Sequence, residues 1–193
     1  GRADISLAVP VTFLVEAAWA FILEKYGSDE AKEEILPKVA AGDRVLGIAI
    51  TEPEAGSDAL SMRTRAERKG DRYILNGTKM WITNATIADA AVVWAMTDEG
   101  VKGFIVEKDM PGYETQEIEN KFSLRASVTS ALFFDNVRVP DSNVLPGVVG
   151  LGRAQAELGQ PLEGAMVNTQ PVGMEGNPNP GPGSFAKTDQ EGR

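Results

Sequence analysis

The sequence contains neither cysteine nor histidine. The first absence removes disulfides, thiolate metal sites and cysteine nucleophiles, and the second removes Ser-His triads and imidazole acid–base steps. Any chemistry is left to carboxylates, hydroxyls, lysine or a bound cofactor. Basic residues are also scarce: 19 Lys and Arg stand against 28 Asp and Glu, a formal charge of −9. That balance argues against a nucleic-acid partner, because phosphate binding depends on clustered cations. Long apolar runs are missing too. The most apolar stretch, Val11 to Leu23, falls short of the roughly 20 residues a membrane span needs and is interrupted by Glu16, so a buried helix and no membrane partner are expected. No basic region leads into an apolar cleavage segment, so no targeting signal is read. A bacterial cytoplasmic or mitochondrial-matrix location fits these absences.

What is present suits one core of ordinary size with a small helical appendage. In the first 43 residues the periodicity is helical. Leu14, Val15, Ala18, Trp19, Ile22, Leu23 and Tyr26 recur at three- and four-residue spacing, the stripe of a core-facing helix over 11–26 that Gly27 ends. A second helix starts at Ser28, whose hydroxyl can cap free amides, with Asp29 and Glu30 at the positive end of its dipole. Pro37 is expected to bend or restart it and Gly42 to stop it.

From residue 44 to 151 the pattern alternates with a period of two, broken by turn signals every eight to twelve residues. Strands are predicted at 45–50, 62–68, 72–75, 78–83, 90–97, 102–107, 113–118 and 130–139. Asn76-Gly77 is a strong short hairpin signal, and Lys69-Gly70-Asp71 supplies a neighbouring turn. The expected fold class is α+β: two helices, then an antiparallel β-barrel or two packed sheets. Residues 152–193, rich in Gly, Pro, Asn and Gln, read as a disordered tail with a loose helical turn at 154–158.

Two segments carry candidate chemistry. TEPEAGSD (Thr51 to Asp58) leaves a strand for a loop whose backbone amides can meet a phosphate, Gly56 allowing close approach; the plainer alternative is an ordinary strand-to-turn connection. In KMWITN (Lys79 to Asn84), Trp81 and Thr83 share one side of a strand, so an indole and a hydroxyl can flank a flat heteroaromatic ring. Core packing is the plainer alternative there.

In order along the chain, TEPEAGSD, NGTKMWITN (Asn76 to Asn84), GFIVEKDMPGY (Gly103 to Tyr113) and FFDNVRVPDSNVLPG (Phe133 to Gly147) resemble the middle β-domain of the acyl-CoA dehydrogenases. YGSDEAKEEILPKVAAGD (Tyr26 to Asp43) is similar to the helical segment before that domain, and KFSLRAS (Lys121 to Ser127) leans toward the glutaryl-CoA dehydrogenase branch. The resemblance divides the chain into the end of a helical domain (1–43), a flavin- and acyl-CoA-binding β-domain (44–151) and the tail. It implies FAD as cofactor, with Ile48, Ala49, Ile50 and Thr51 presenting main chain to the flavin and the Thr51 hydroxyl reaching the ring's polar edge. Gly56 and Ser57 would lie near the pyrophosphate, Ser57 also touching the acyl-CoA. Trp81 would pack on one flavin face, with Ile82 and Thr83 alongside and Thr83 bonding near the reactive nitrogen.

Arg125 has two readings, a contact to the CoA portion of the substrate or a surface pair with a carboxylate such as Glu119; the surface pair is favoured. Glu114, Glu117 and Glu119 read as a solvated strand face. In the family a carboxylate removes the α-proton while the β-hydrogen leaves as hydride to the flavin, a division of labour that needs neither His nor Cys. Electron-transferring flavoprotein is the implied acceptor and a homotetramer the usual assembly. The base belongs to a helical domain after the β-domain; nothing beyond Leu151 resembles it, and neither Glu163 nor Glu175 is nominated. The expectation is a fragment without that domain. A non-catalytic flavin- or CoA-binding module, or an inactive truncated product, is the alternative, and an acyl-CoA oxidase relative a remoter one.

Overall fold

The computed structural model describes residues 2–146, 166–168 and 185–187. Two helices come first, α1 (Arg2–Tyr26) and α2 (Asp29–Ala41). The Ser28 hydroxyl caps α2 by accepting from the Ala31 amide at 3.2 Å. At the other end Gly42 adopts φ 80, and the carbonyls of Lys38 and Val39 are closed by the Asp43 and Gly42 amides. α2 runs through Pro37 without restarting, and α1 starts nine residues before the predicted Val11, running through Pro10. A proline removes one backbone donor, a local loss that neighbouring turns outweigh in both helices.

Only part of the predicted α1 stripe meets the core. Trp19, Ile22 and Leu23 are buried, whereas Leu14 is 68% exposed. Trp19 and Glu16 anchor the helix to the first strand, β1 (Leu46–Ala49). The Trp19 indole donates to the Gly47 carbonyl at 2.6 Å, and the Glu16 carboxylate accepts from the Leu46 amide at 3.0 Å. Burial raises the Glu16 carboxyl above its ordinary value against the pull of that amide.

The β-domain is one curled, seven-stranded mixed sheet in the order β1-β4-β2-β3-β7-β6, with β5 on β4. Its remaining strands are β2 (Arg65–Lys69), β3 (Arg72–Thr83), β4 (Ala90–Thr97), β5 (Gly100–Glu107), β6 (Tyr113–Glu117) and β7 (Thr129–Pro140). β5 pairs with the whole of β4, while the opposite edge of β4 is shared: β1 takes Ala90 to Val93 and β2 meets it at Met96. Both of those contacts are parallel, so the antiparallel pairing expected throughout holds only for the other strand pairs. The β2–β3 hairpin lies between β1 and β4 in the chain and supplies the long crossover that parallel pairing requires. Tyr73, Leu75, Val93, Phe104, Leu132 and Val137 fill the core inside the curl.

The predicted hairpin at Asn76-Gly77 is not formed. β3 continues through it for 12 residues, and the turn sits instead at Gly70, φ 66, between β2 and β3. Gly77 marks a bulge against β7, with φ 147 and Thr64 so close that an added Cβ would lie 2.6 Å from its hydroxyl oxygen. The glycine is required by close approach of Thr64, not by a turn.

Within residues 154–193, a unit of its own, β8 (Met166–Asn168) and β9 (Phe185–Lys187) pair antiparallel, Val167 opposite Ala186. Apart from these two triplets, the tail predicted to be disordered lies outside the described residues, as do Glu163, Glu175 and the turn expected at 154–158.

Candidate functional site

The two motifs are bolted together by a buried ion pair that neither was read for. The Lys79 ammonium donates to Glu52 Oε1 at 2.8 Å and to the Ile50 carbonyl at 3.0 Å, with both side chains withdrawn from solvent (0% and 2% exposed). The Glu52 carboxylate also accepts from the amides of Arg63 at 2.6 Å and Thr64 at 3.0 Å. Burial alone would raise the Glu52 carboxyl, but the bonds from Lys79, Thr64 and Arg63 outweigh it and hold it below the usual glutamate value. The same burial pulls Lys79 below its usual value, with Glu52 opposing. A main-chain bond from the Met80 amide to the Thr51 carbonyl, 2.9 Å, completes the junction.

Just beyond that junction β3 is bulged. Lys79 pairs with Leu132 and Ile82 with Ser130, so Met80 and Trp81 face the single residue Ala131. Trp81 takes φ 64, a left-handed conformation that costs a bulky L-residue about 1–2 kcal/mol. The result is an indole 60% exposed, next to Ile82 at 3% and a half-buried Thr83. Trp81 is therefore no core residue: the plainer alternative of packed bulk does not hold for it. A strained, exposed aromatic is the kind of outlier that marks a ligand platform.

The other predicted residues surround the loop end of this arrangement. β1 has a strand partner on one side only, β4; beyond its end the carbonyls of Ile50 and Thr51 are taken by Lys79 and the Met80 amide. Ile48, Ile50 and Thr51 are half-buried and Ala49 fully buried. A tight turn, closed by Glu52 and Ala55 exchanging main-chain bonds of 3.0 and 3.2 Å, then lifts Gly56 and Ser57 to the surface. A Cβ added at Gly56 would meet nothing within 4 Å. The structure thus brings Thr51 to Met80, the residue before Trp81, while Gly56 and Ser57 share its loop without a hydrogen bond to Trp81 or Thr83. An exposed indole, the hydroxyls of Thr51 and Thr83, and the surface loop at Gly56 and Ser57 fit a flat heteroaromatic group with a polar edge and an anionic extension.

Glu52 and Lys79 were missed by the sequence reading: one acidic and one basic residue, each inside a motif otherwise read for hydroxyls and rings. Asn84 was also passed over; it adopts φ 65 and is 1% exposed, and its carbonyl accepts from the Ile87 and Ala88 amides in the turn that follows β3. Arg125 lies exposed and donates through Nε to the Lys121 carbonyl at 3.1 Å, not to Glu119. Lys121 in turn reaches the Thr129 hydroxyl at 2.9 Å and the Ser127 carbonyl, so KFSLRAS forms a self-bonded loop. Glu114, Glu117 and Glu119 are exposed, as expected of a solvated face. An apolar groove of about 970 Å³ between α1 and α2 is lined by no residue of either motif.

Residues 47–137 match the family model described as acyl-CoA dehydrogenase, middle domain. The chain is 41% identical over 157 residues to the 2-methylacyl-CoA dehydrogenase, mitochondrial, of Solanum tuberosum, covering 79% of this chain and 38% of that protein. Among solved structures it resembles a glutaryl-CoA dehydrogenase from Mycobacterium smegmatis in complex with FADH2, at 52% identity and a TM-score of 0.72 over 74% of this chain and 37% of that one. A glutaryl-CoA dehydrogenase in complex with glutaryl-CoA matches at 38% identity and a TM-score of 0.73, over 79% of this chain and 40% of that one. The chain thus spans about two-fifths of the length of these relatives. With the motifs, the curled sheet and these likenesses in agreement, the chain belongs, through its middle β-domain, to the acyl-CoA dehydrogenase family.

Proposed function

We propose that this chain holds FAD on the face formed by Trp81, Thr83 and the β1 edge, for α,β-dehydrogenation of an acyl-CoA thioester. The observation that carries the reading is the Trp81 indole, exposed on a left-handed bulge whose other residue, Met80, bonds to Thr51. Trp81 packs against one face of the ring, with Ile82 and Thr83 alongside it. The Thr83 hydroxyl donates near the ring's reactive nitrogen, and the Thr51 hydroxyl and the main chain of Ile48, Ala49 and Ile50 serve its polar edge. Gly56 and Ser57 take the pyrophosphate, and Ser57 also contacts the acyl-CoA. FAD, when bound, supplies the acceptor for the hydride leaving the β-carbon. The chain's own residues orient that acceptor, shield one face from water and provide hydrogen bonds where charge accumulates.

The carboxylate that removes the α-proton belongs, in the family, to a helical domain outside the matched residues, and no described residue is given that role. Glutaryl-CoA, with decarboxylation, is the substrate we favour, supported by KFSLRAS and by the likeness to two glutaryl-CoA dehydrogenases. The proposed electron acceptor is electron-transferring flavoprotein, the assembly a homotetramer, and the location the bacterial cytoplasm or mitochondrial matrix. Among the described residues no helix is long and apolar enough to cross a membrane.

The test is the absorbance spectrum of the purified chain with FAD, before and after an acyl-CoA is added. Bleaching of the flavin band by glutaryl-CoA supports the full reading. A flavin band that no acyl-CoA bleaches supports flavin binding without catalysis by this chain alone, peroxide release in turnover marks an oxidase, and a colourless protein overturns the proposal.

A further inference from the structure

Burying an ion pair is expensive, and apolar side chains of the same shape often stabilise a core equally well or better. Stability alone therefore does not explain a Lys79–Glu52 pair with both side chains almost wholly withdrawn from solvent. Its location does. Lys79 is the last paired residue before the bulge, two positions from Trp81. Its ammonium holds the end of β1 through the Ile50 carbonyl, and Glu52 gathers the lead-in to β2 through the Arg63 and Thr64 amides. Thr64 is in turn packed against Gly77 and donates to the Thr78 carbonyl at 3.5 Å. Four pieces of chain thus converge on one pair of charges, next to a backbone conformation that does not persist unless its surroundings enforce it.

We infer that Glu52 and Lys79 are positioning residues for the ring-binding face: the pair touches no ligand, and it fixes the angle at which Trp81 is presented by clamping the 50–55 segment to β3. The inference rests on the flavin reading for its consequence, whereas the orientation of Trp81 is measurable without any flavin. Because Trp19 and Trp94 are buried, acrylamide quenching of tryptophan fluorescence reports chiefly on Trp81.

The variants are Glu52→Gln with Lys79→Met together, which remove both charges while keeping shape, and Arg44→Met, which breaks the Arg44–Glu107 pair elsewhere in the molecule. The double variant is expected to change acrylamide quenching in the flavin-free protein, to raise the FAD dissociation constant roughly tenfold, about 1.4 kcal/mol, and to alter the visible circular dichroism of bound flavin. Arg44→Met is expected to leave all three unchanged. If the double variant does not fold, Lys79→Arg and Glu52→Asp keep the charges and displace the clamp; smaller shifts in the same three readouts are expected. A folded double variant, or a folded conservative pair, with wild-type quenching, affinity and dichroism overturns the inference. Wild-type protein that binds no FAD sinks the flavin reading instead, and the quenching result then decides the clamp by itself.

Discussion

Two tryptophans on two strands of one sheet teach opposite lessons. Trp94, in the middle of β4, is 1% exposed, and its ring N–H has no hydrogen-bond partner: it serves as apolar bulk. Trp81, near the end of β3, is 60% exposed on a left-handed backbone that a regular strand would not adopt. β4 is buried along nearly all its length and regular in its pairing with β5. β3 meets β7 through two register shifts, the second a bulge of its own at Met80 and Trp81, and carries a buried lysine. One strand is built for stability, the other spends stability on presenting a side chain.

The largest expected effect comes from removing the buried member of the pair. Trp94→Ala leaves a large cavity and should cost about 3–5 kcal/mol in urea unfolding, with FAD affinity of the folded fraction unchanged. A changed affinity would mean that β4 also serves the site. Next comes Gly77→Ala, whose Cβ would lie 2.7 Å from the Thr64 Cα. Overpacking of that kind should cost about 1–3 kcal/mol by the same measurement. A neutral result would show that β3 and Thr64 can part without loss.

The pH dependence separates the strands more finely. The Glu52 carboxyl lies below its ordinary 4.5 in the folded state, so the unfolded chain takes up the proton first as pH falls. Its contribution is complete above about 4.5 and is lost as pH drops through the folded value, and a thermal-melt series should therefore fall more steeply in wild type than in Glu52→Gln. Equal slopes would show that the pair is not ionised. Smallest of all in stability is Trp81→Gly, expected to change unfolding free energy by no more than about 1 kcal/mol, because relief of left-handed strain offsets the lost contacts. A cost like that of Trp94→Ala would make Trp81 a core residue after all.

The regular strand was legible in the sequence and the functional one was not. Ala90 to Thr97 has its predicted bounds because an apolar run on both faces has few other uses in so short a span. Asn76-Gly77 misled because its local preference for a hairpin is real, and only the pairing with β7 and the packing of Thr64 carry the chain straight on. The bulge at Trp81 depends likewise on partners far away in sequence. Motif order identified the family and the candidate face, but the Glu52–Lys79 clamp joins positions 27 apart and shows no spacing a sequence pattern can carry. The exposed Leu14 on α1 was misread because a helical stripe records which residues are apolar, not which of them are covered.

The central claim is that Trp81 and Thr83 form a flavin-binding face, and titration of FAD into wild type, Trp81→Ala and Thr83→Val tests it most directly. The account predicts affinity weaker by about 1–3 kcal/mol for the lost ring contact and by about 1 kcal/mol for the lost hydroxyl, with melting temperatures close to wild type. Unaltered affinity in both variants, or affinity lost only in step with folding, would contradict it.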